Sequence, residues 1–340
     1  VLDVSLENVT VGNRLRDVTL TFAKSTHTAI IGPPATGAST LLRVIAGKLR
    51  PDSGEVRIGA RTVTKLSASQ RPLLFVTSSI DAPARWSVGH LLVAAVRQRT
   101  LDRIDRHHEY EMAVAKWKVN HLIERSLRSL SSSESGFVQL ARIELMRPGI
   151  VVADRILEHL NPSAVARVAD EFYRTLRVLG ATVISAPSSA AELGLTDRVV
   201  VLDAGRVVQE GALAAVYRRP NSEAAAVATG EANVIPITVR GDVVESAIGS
   251  WNAHASFQGS GIALARPEDF VVAAAGEESD LIFGIEEANF RDGRWIATGI
   301  LTGGINLRIA LPGDFAVHKG RLIPLRYDSS RFILLRSEAR

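Results

Sequence analysis

Gly32-Pro-Pro-Ala-Thr-Gly-Ala-Ser-Thr40 is the stretch on which the reading of this chain turns. A phosphate-binding loop needs Gly, four free positions, Gly-Lys, then Ser or Thr. The glycines let backbone N–H groups close around phosphate oxygens, and the lysine supplies charge. Gly32, Gly37, Ser39 and Thr40 stand in their places, but Ala38 occupies the lysine position. Pro34 removes one N–H donor, and Ala35 tolerates positive φ less well than glycine.

The flanks give the loop its context. His27 to Ile31 reads as a buried strand running into it, and Ser39 to Ala46 carries apolar residues at helical spacing, with Gly47 as a stop. Strand, glycine-rich loop and helix in that order are what the motif requires. Upstream, Val4 to Val11 and Asp17 to Phe22 alternate as short strands. Downstream, Pro51-Asp-Ser-Gly54 predicts a turn, followed by strands at Glu55 to Ile58 and Leu73 to Thr77. Val88 to about Leu127 is charged and helical in pattern, and Ser135 to Met146 predicts another helix that Pro148-Gly149 ends.

Ile150 to Ala153 is a continuous apolar run closing on Asp154, as expected of a buried parallel strand. Ser163 to Leu179 reads as helix, and Thr182 to Ser185 and Arg198 to Leu202 as strands. The alternation implies a largely parallel sheet covered on both faces. From about 225 to 232 the texture changes to short strand-like runs between Gly, Asp and Pro turns, from Val234 to Val239 through Phe332 to Leu335, which suggests a small barrel.

Composition narrows the function classes. The 340 residues suffice for two cores, and no apolar run approaches the roughly 18 residues of a membrane span. There are no cysteines, so disulfides and thiolate metal sites are excluded. A net charge of +4 with acidic and basic residues interleaved, and no reading motif, argues against a nucleic-acid partner. His107-His108 with Glu109 and Glu111 reads as a solvated helix face rather than a metal cluster. Trp251 and Trp295 are read as barrel core; Trp86 is read equally as core or as an exposed anchor.

Four segments together resemble the ATP-binding subunit of an ABC importer, more narrowly of the maltose and sn-glycerol-3-phosphate type. They are the Gly32 loop with Leu41-Leu-Arg43, Ile45-Ala-Gly47 and Pro51 to Glu55; Leu130-Ser-Ser-Ser-Glu134 with Gln139-Leu-Ala-Arg142 and Arg147-Pro148; Ile150 to Asp154; and Asp197 to Arg206. Asn233-Val-Ile-Pro236 and Ala265-Arg-Pro-Glu268 extend the likeness over nearly the whole chain. The resemblance implies an α/β P-loop NTPase (ABC ATPase) domain over 1–228, with a helical subdomain at about 85–145. A small all-β, OB-like regulatory barrel would follow over 229–340. It implies ATP and Mg as cofactors, with Gly32, Gly37, Ala38, Ser39, Thr40 and Ser78 at the nucleotide and Ser39 and Asp154 at the metal. It also implies ABC permease (transmembrane) subunits, a second ATP-binding subunit (identical or competent) and, indirectly, a solute-binding protein. The chain would then lie at the cytoplasmic face of the inner (cell) membrane.

Against that pattern the catalytic parts are altered. Arg155 stands at the water-polarising glutamate and Pro187 at the switch histidine, and Ser78 replaces the loop glutamine. No aromatic occurs between Val1 and Arg16 to stack on adenine. The D-loop segment ends in Asn161 rather than aspartate. The signature loop is Leu130-Ser131-Ser132-Ser133-Glu134 instead of Leu-Ser-Gly-Gly-Gln, and Glu134 brings negative charge to a helix start meant for phosphate. Phosphoryl transfer is largely positioning and electrostatics, so the expectation is a subunit whose own ATP site is catalytically impaired. Arg155 is expected to pair with Asp154 and fill the metal site; the alternative is that it replaces the missing lysine charge. A non-transport regulatory or scaffold pseudo-ATPase, and an active ATPase with unorthodox ligands, are the competing readings.

Overall fold

The computed structural model describes residues 2–274, 276–291, 293–301 and 304–337. Two compact units divide the chain, Val1–Val216 and Tyr217–Arg340.

The first unit runs β1 (Val4–Val11), β2 (Leu15–Phe22), β3 (His27–Ile31), α1 (Ala38–Ile45), β4 (Ser53–Ile58), β5 (Arg61–Thr62) and β6 (Leu74–Thr77). It continues with α2 (Val88–Val96), α3 (Arg103–Lys116), α4 (Ser132–Met146), β7 (Ile150–Asp154), α5 (Pro162–Val178), β8 (Thr182–Ala186), β9 (Arg198–Asp203) and β10 (Arg206–Gly211). A six-stranded sheet has the order β10-β9-β3-β8-β7-β6, parallel from β9 to β6 with β10 antiparallel at one edge. A four-stranded antiparallel sheet, β2-β1-β4-β5, stands beside it.

All five residues of β3, β7 and β8 are buried, which is why these strands read as unbroken apolar runs. Strand geometry sends alternate side chains to opposite faces. Val151 and Ala153 therefore join the core formed with α2 to α5, while Ile150 and Val152 join the core around α1 and the antiparallel sheet. Phe172 of α5 is fully buried in the first of these, where truncation to alanine would cost roughly 3–5 kcal/mol.

The sequence pattern overextends the helix between Val88 and Leu127. The structure breaks it into α2 and α3, followed by short 3-10 turns at Asn120–Leu122 and Leu127–Ser129. Two local causes are visible. Asp102 starts α3 by accepting from the Asp105 N–H at 2.8 Å, and Lys118 ends it in a left-handed conformation, φ 55°.

The second unit holds α7 (Glu223–Thr229), preceded at the junction by α6 (Leu213–Arg218), and then strands only. These are β11 (Asn233–Arg240), β12 (Val243–Ser246), β13 (Gly249–Asn252), β14 (Gly259–Ala265), β15 (Phe270–Val272), β16 (Leu281–Arg291), β17 (Arg294–Leu301), β18 (Asn306–Pro312), β19 (Leu322–Tyr327) and β20 (Ile333–Arg336). They form two five-stranded antiparallel sheets, β13-β12-β11-β14-β20 and β15-β19-β16-β17-β18, around one core that includes Ile235, Phe283 and Leu325. Trp251 packs edge-on against Phe332 at 5.6 Å, and Trp295 against Phe290 at 5.1 Å. The division falls before residue 228 because Arg266 gathers the preceding helix. Its guanidinium lies 3.9 Å from the Tyr217 ring and donates to the carbonyls of Tyr217 and Ala226, each at 2.9 Å.

Candidate functional site: a phosphate cradle at the strand ends

Parallel strands bring their carboxyl ends to one edge, where ligands of open α/β sheets bind. Register does this here. Thr77, Asp154 and Ala186 are direct neighbours across β6, β7 and β8. Ser78, Arg155 and Pro187 are therefore each the first residue beyond a strand, although they lie far apart in sequence.

The loop after β3 is held by its surroundings. A Cβ at Gly32 would lie 2.1 Å from the Leu202 carbonyl oxygen and 2.9 Å from Thr36 Oγ1. Gly37 has φ 105°, and a Cβ there would lie 2.4 Å from the Arg14 carbonyl oxygen. Ala35 adopts φ 66°, which costs an L-residue about 1–2 kcal/mol, so the surrounding structure imposes the loop's shape. Gly37 then starts α1 with no side-chain cap and no acidic residue in the first turn. The first N–H groups and the positive dipole end of α1 are left for an anion.

Ser39 Oγ donates to Asp154 Oδ1 at 2.8 Å, and Asp154 is buried. The structure thus brings together the two residues expected at the metal. A hydroxyl and a carboxylate in contact suit Mg, which is held through few protein oxygens, waters and phosphate. Arg155 corrects one expectation. It is exposed, its N–H donates to the Ala186 carbonyl at 2.9 Å, and its φ is 50°. Among the described residues its side chain makes no ion pair, so Asp154 is engaged by Ser39 and not by Arg155. The residues therefore fit a Mg–phosphate group as a holder. They do not supply a base, because a guanidinium cannot accept a proton.

Ser78 turns away from this pair, its Oγ donating to Glu158 Oε1 at 2.7 Å. Gln139 of α4, almost wholly buried, donates to the carbonyls of Thr77 (3.3 Å) and Ser79 (3.1 Å) and so ties that helix to the Ser78 loop. Sequence reading placed Gln139 only as part of a motif; a lone amide on an apolar helix face was the available signal. Glu192 was missed altogether. It accepts from the Ser188 N–H (2.7 Å) and Oγ (2.6 Å), closing the loop after Pro187, and burial raises its pKa. Near Val11, where a base would stack, the Gly12 N–H instead donates to Asp52 Oδ2 at 2.6 Å.

The segment Leu130 to Glu134 is the second candidate. Ser131 caps α4, its Oγ accepting from the Glu134 N–H at 3.2 Å, while Glu134 Oε2 accepts from the Ser131 N–H at 2.7 Å. This is a complete capping box, and it starts the helix at Ser132, three residues before the predicted Ser135. Arg125 Nη1 donates to Glu134 Oε1 at 2.7 Å. The Ser131 N–H, then the Ser131 hydroxyl and Arg125, hold the Glu134 carboxyl below the usual carboxylate range. Two N–H groups of this helix start, those of Ser131 and Glu134, are engaged within the chain.

Comparison with known proteins agrees with this architecture. A family model described as ABC transporter matches residues 15–157. The chain is 30% identical to the Fe(3+) ions import ATP-binding protein FbpC of Streptomyces avermitilis, with 81% of each chain covered. It is 29% identical to the molybdate/tungstate import ATP-binding protein WtpC of Thermococcus kodakarensis, covering 68% of this chain and 71% of that one. With the sn-glycerol-3-phosphate import ATP-binding protein UgpC of Rhizobium meliloti it shares 27% identity, covering 76% of this chain and 74% of that one. A dimeric ATP-binding cassette in a post-hydrolysis state with ADP and Pi superposes with TM-score 0.54 at 20% identity, covering 62% of this chain and 98% of that one. That family binds ATP with Mg. From the cradle at the strand ends, the order of its motifs and these likenesses, the chain belongs to the ABC transporter family, among its import ATP-binding proteins.

Proposed function

We propose that this chain serves an ABC importer as an ATP-binding-type subunit whose own nucleotide site holds Mg-nucleotide weakly and does not turn it over. One observation carries the reading. Ser39 and Asp154 keep the metal-holding pair at 2.8 Å, while Ala38 and Arg155 stand where the cation and the base belong. Each missing contact of this kind costs on the order of 10²–10³ in rate. The chain pairs head to tail with a second ATP-binding subunit, identical or competent, and docks on permease subunits through the Ser78 to Val88 stretch, where Trp86 is half-buried. No helix among the described residues is long and apolar enough to cross a membrane, which suits peripheral attachment at the cytoplasmic face.

The two antiparallel sheets around one core support reading 229–340 as an OB-like regulatory domain after a nucleotide-binding domain over 1–228. The cargo proposed from the resemblance is a carbohydrate, polyol or glycerol phosphate. One relative named for sn-glycerol-3-phosphate supports it, beside others named for Fe(3+) and molybdate/tungstate. The test is a Mg-ATP titration and an ATPase assay on the purified chain, with Asp154→Asn as control. Weak binding without turnover is expected; robust turnover abolished by Asp154→Asn refutes the impaired site.

A non-transport regulatory or scaffold role is favoured by one feature, the self-capped start of α4. Recovery of the chain from membranes without any permease subunit would select it.

A further inference from the structure

Outside the nucleotide cradle, a cavity of about 570 Å³ opens between the end of α3, the first turns of α4 and the middle of α5. Its size is that of a small-molecule site. The floor is apolar: Trp117, Val119, Leu122 and Val168 are all buried, and Phe137 packs against the same core.

The charges around it sort into spent and unspent groups. Lys116 is engaged by Glu144 at 3.2 Å and Glu171 at 3.3 Å. Glu134 is engaged by Arg125 and Ser131. Lys118 and Arg167 are exposed, and among the described residues neither side chain has an ion pair or hydrogen bond. Lys118 also holds the left-handed position that ends α3, φ 55°, where glycine or asparagine is the usual occupant. With both carboxylates on the rim already committed, the uncompensated charge at the mouth is positive.

We propose that this cavity is a binding site for an amphipathic organic anion. The ligand's aromatic or branched apolar body rests on Trp117, Leu122 and Val168. Its single carboxylate, sulfonate or phosphate meets Lys118 and Arg167. Ser133 and Glu134 border the same space, so an occupant touches the start of α4 and can bias its capping. The site is separate from the Ser39–Asp154 pair, and its test uses no nucleotide.

The experiment is a fluorescence titration of the full chain with anilinonaphthalene sulfonate as the anionic probe and phenylnaphthylamine as its uncharged analogue. Saturable one-site binding of the anion is expected, with the uncharged analogue at least tenfold weaker. Lys118→Glu with Arg167→Glu changes only exposed side chains, and should lower the anion's affinity by roughly tenfold or more, about 1.4 kcal/mol. Val168→Phe, which fills the floor, should weaken both probes, with circular dichroism showing that each variant is folded. The proposal is overturned if the native chain shows no saturable binding, if the charge-reversed variant binds the anion unchanged, or if the two probes bind equally.

Discussion

The start of α1 leaves its N–H groups without a side-chain cap, whereas the start of α4 is closed by its own Glu134. Both helices belong to the same unit, and both begin at segments to which the resemblance assigns phosphate binding. Any helix start offers the same resource, up to four unpaired N–H groups and the positive end of a dipole. At α1 that resource persists because Gly32 packs against Leu202 and Gly37 against Arg14, while the loop before it has lost the side-chain charge at Ala38 and one N–H donor at Pro34. At α4 two of these donors are taken from within the chain, the Ser131 N–H by the Glu134 carboxylate and the Glu134 N–H by Ser131 Oγ, and Arg125 reinforces the carboxylate. Loss of a charge leaves a cradle that a substitution can rearm. Gain of an internal cap creates a competitor that an incoming anion must displace.

The strongest way to break this contrast is to restore both sides at once. Ala38→Lys, Arg155→Glu and Glu134→Gln together should raise Mg-ATP turnover by on the order of 10² or more, since each missing contact is worth at least that. If turnover and nucleotide affinity both stay at the native level, the positions have been misassigned. A direct nucleotide titration on the same variant separates binding from chemistry.

Acid should act on the two regions at different pH. His27 begins the strand that leads to the cradle; its Nε2 lies 2.8 Å from Ser185 Oγ and its ring stacks on Tyr173. Burial drives its pKa from 6.5 to about 4 despite the nearby Asp197. A folded-state value below the unfolded one means the stabilisation is complete above pH 6.5 and is lost as pH falls towards 4. Between pH 7 and 5 the first unit should lose about 2 kcal/mol, visible as a falling urea midpoint. His27→Phe should flatten that window. An unchanged slope in the variant would show that another group governs it.

The smallest effect belongs to the cap. Glu134→Ala removes both the capping-box bond and the Arg125 pair, and should cost about 1 kcal/mol of stability. The Glu134 carboxyl is held below its ordinary value, so this contribution is present above about pH 4.5 and disappears only at more acidic pH. Thermal melts of native chain and variant should differ at pH 7, and the difference should shrink as pH falls progressively below about 4.5. A difference that does not shrink with acid would mean that the cap acts through packing rather than charge.

Much of the cradle was legible in the chain because its parts are local. The strand His27–Ile31, the loop and the following helix depend on neighbouring residues, and β1 and β3 match their expected limits without adjustment. The two ends of α3 were not legible. A charged helical pattern continued through both, and the C-terminal end depended on Lys118 taking a left-handed conformation that its residue type does not favour. The junction near residue 217 was hidden for a different reason. Arg266 reaches back over some forty residues to Ala226 and further to Tyr217, a contact with no periodicity to betray it.

Residue types alone established which chemical groups this chain possesses and lacks: no lysine at 38, no acid at 155, no imidazole at 187, a carboxylate at 134. Those statements need no coordinates, because a missing functional group stays missing in any fold. Where the remaining groups point was decided by tertiary structure. Strand register placed Asp154 level with Thr77 and Ala186, and Asp154 took its hydrogen bond from Ser39 rather than from Arg155. A side chain's partner is set by distance and direction across elements, and neither is encoded in its own sequence neighbourhood.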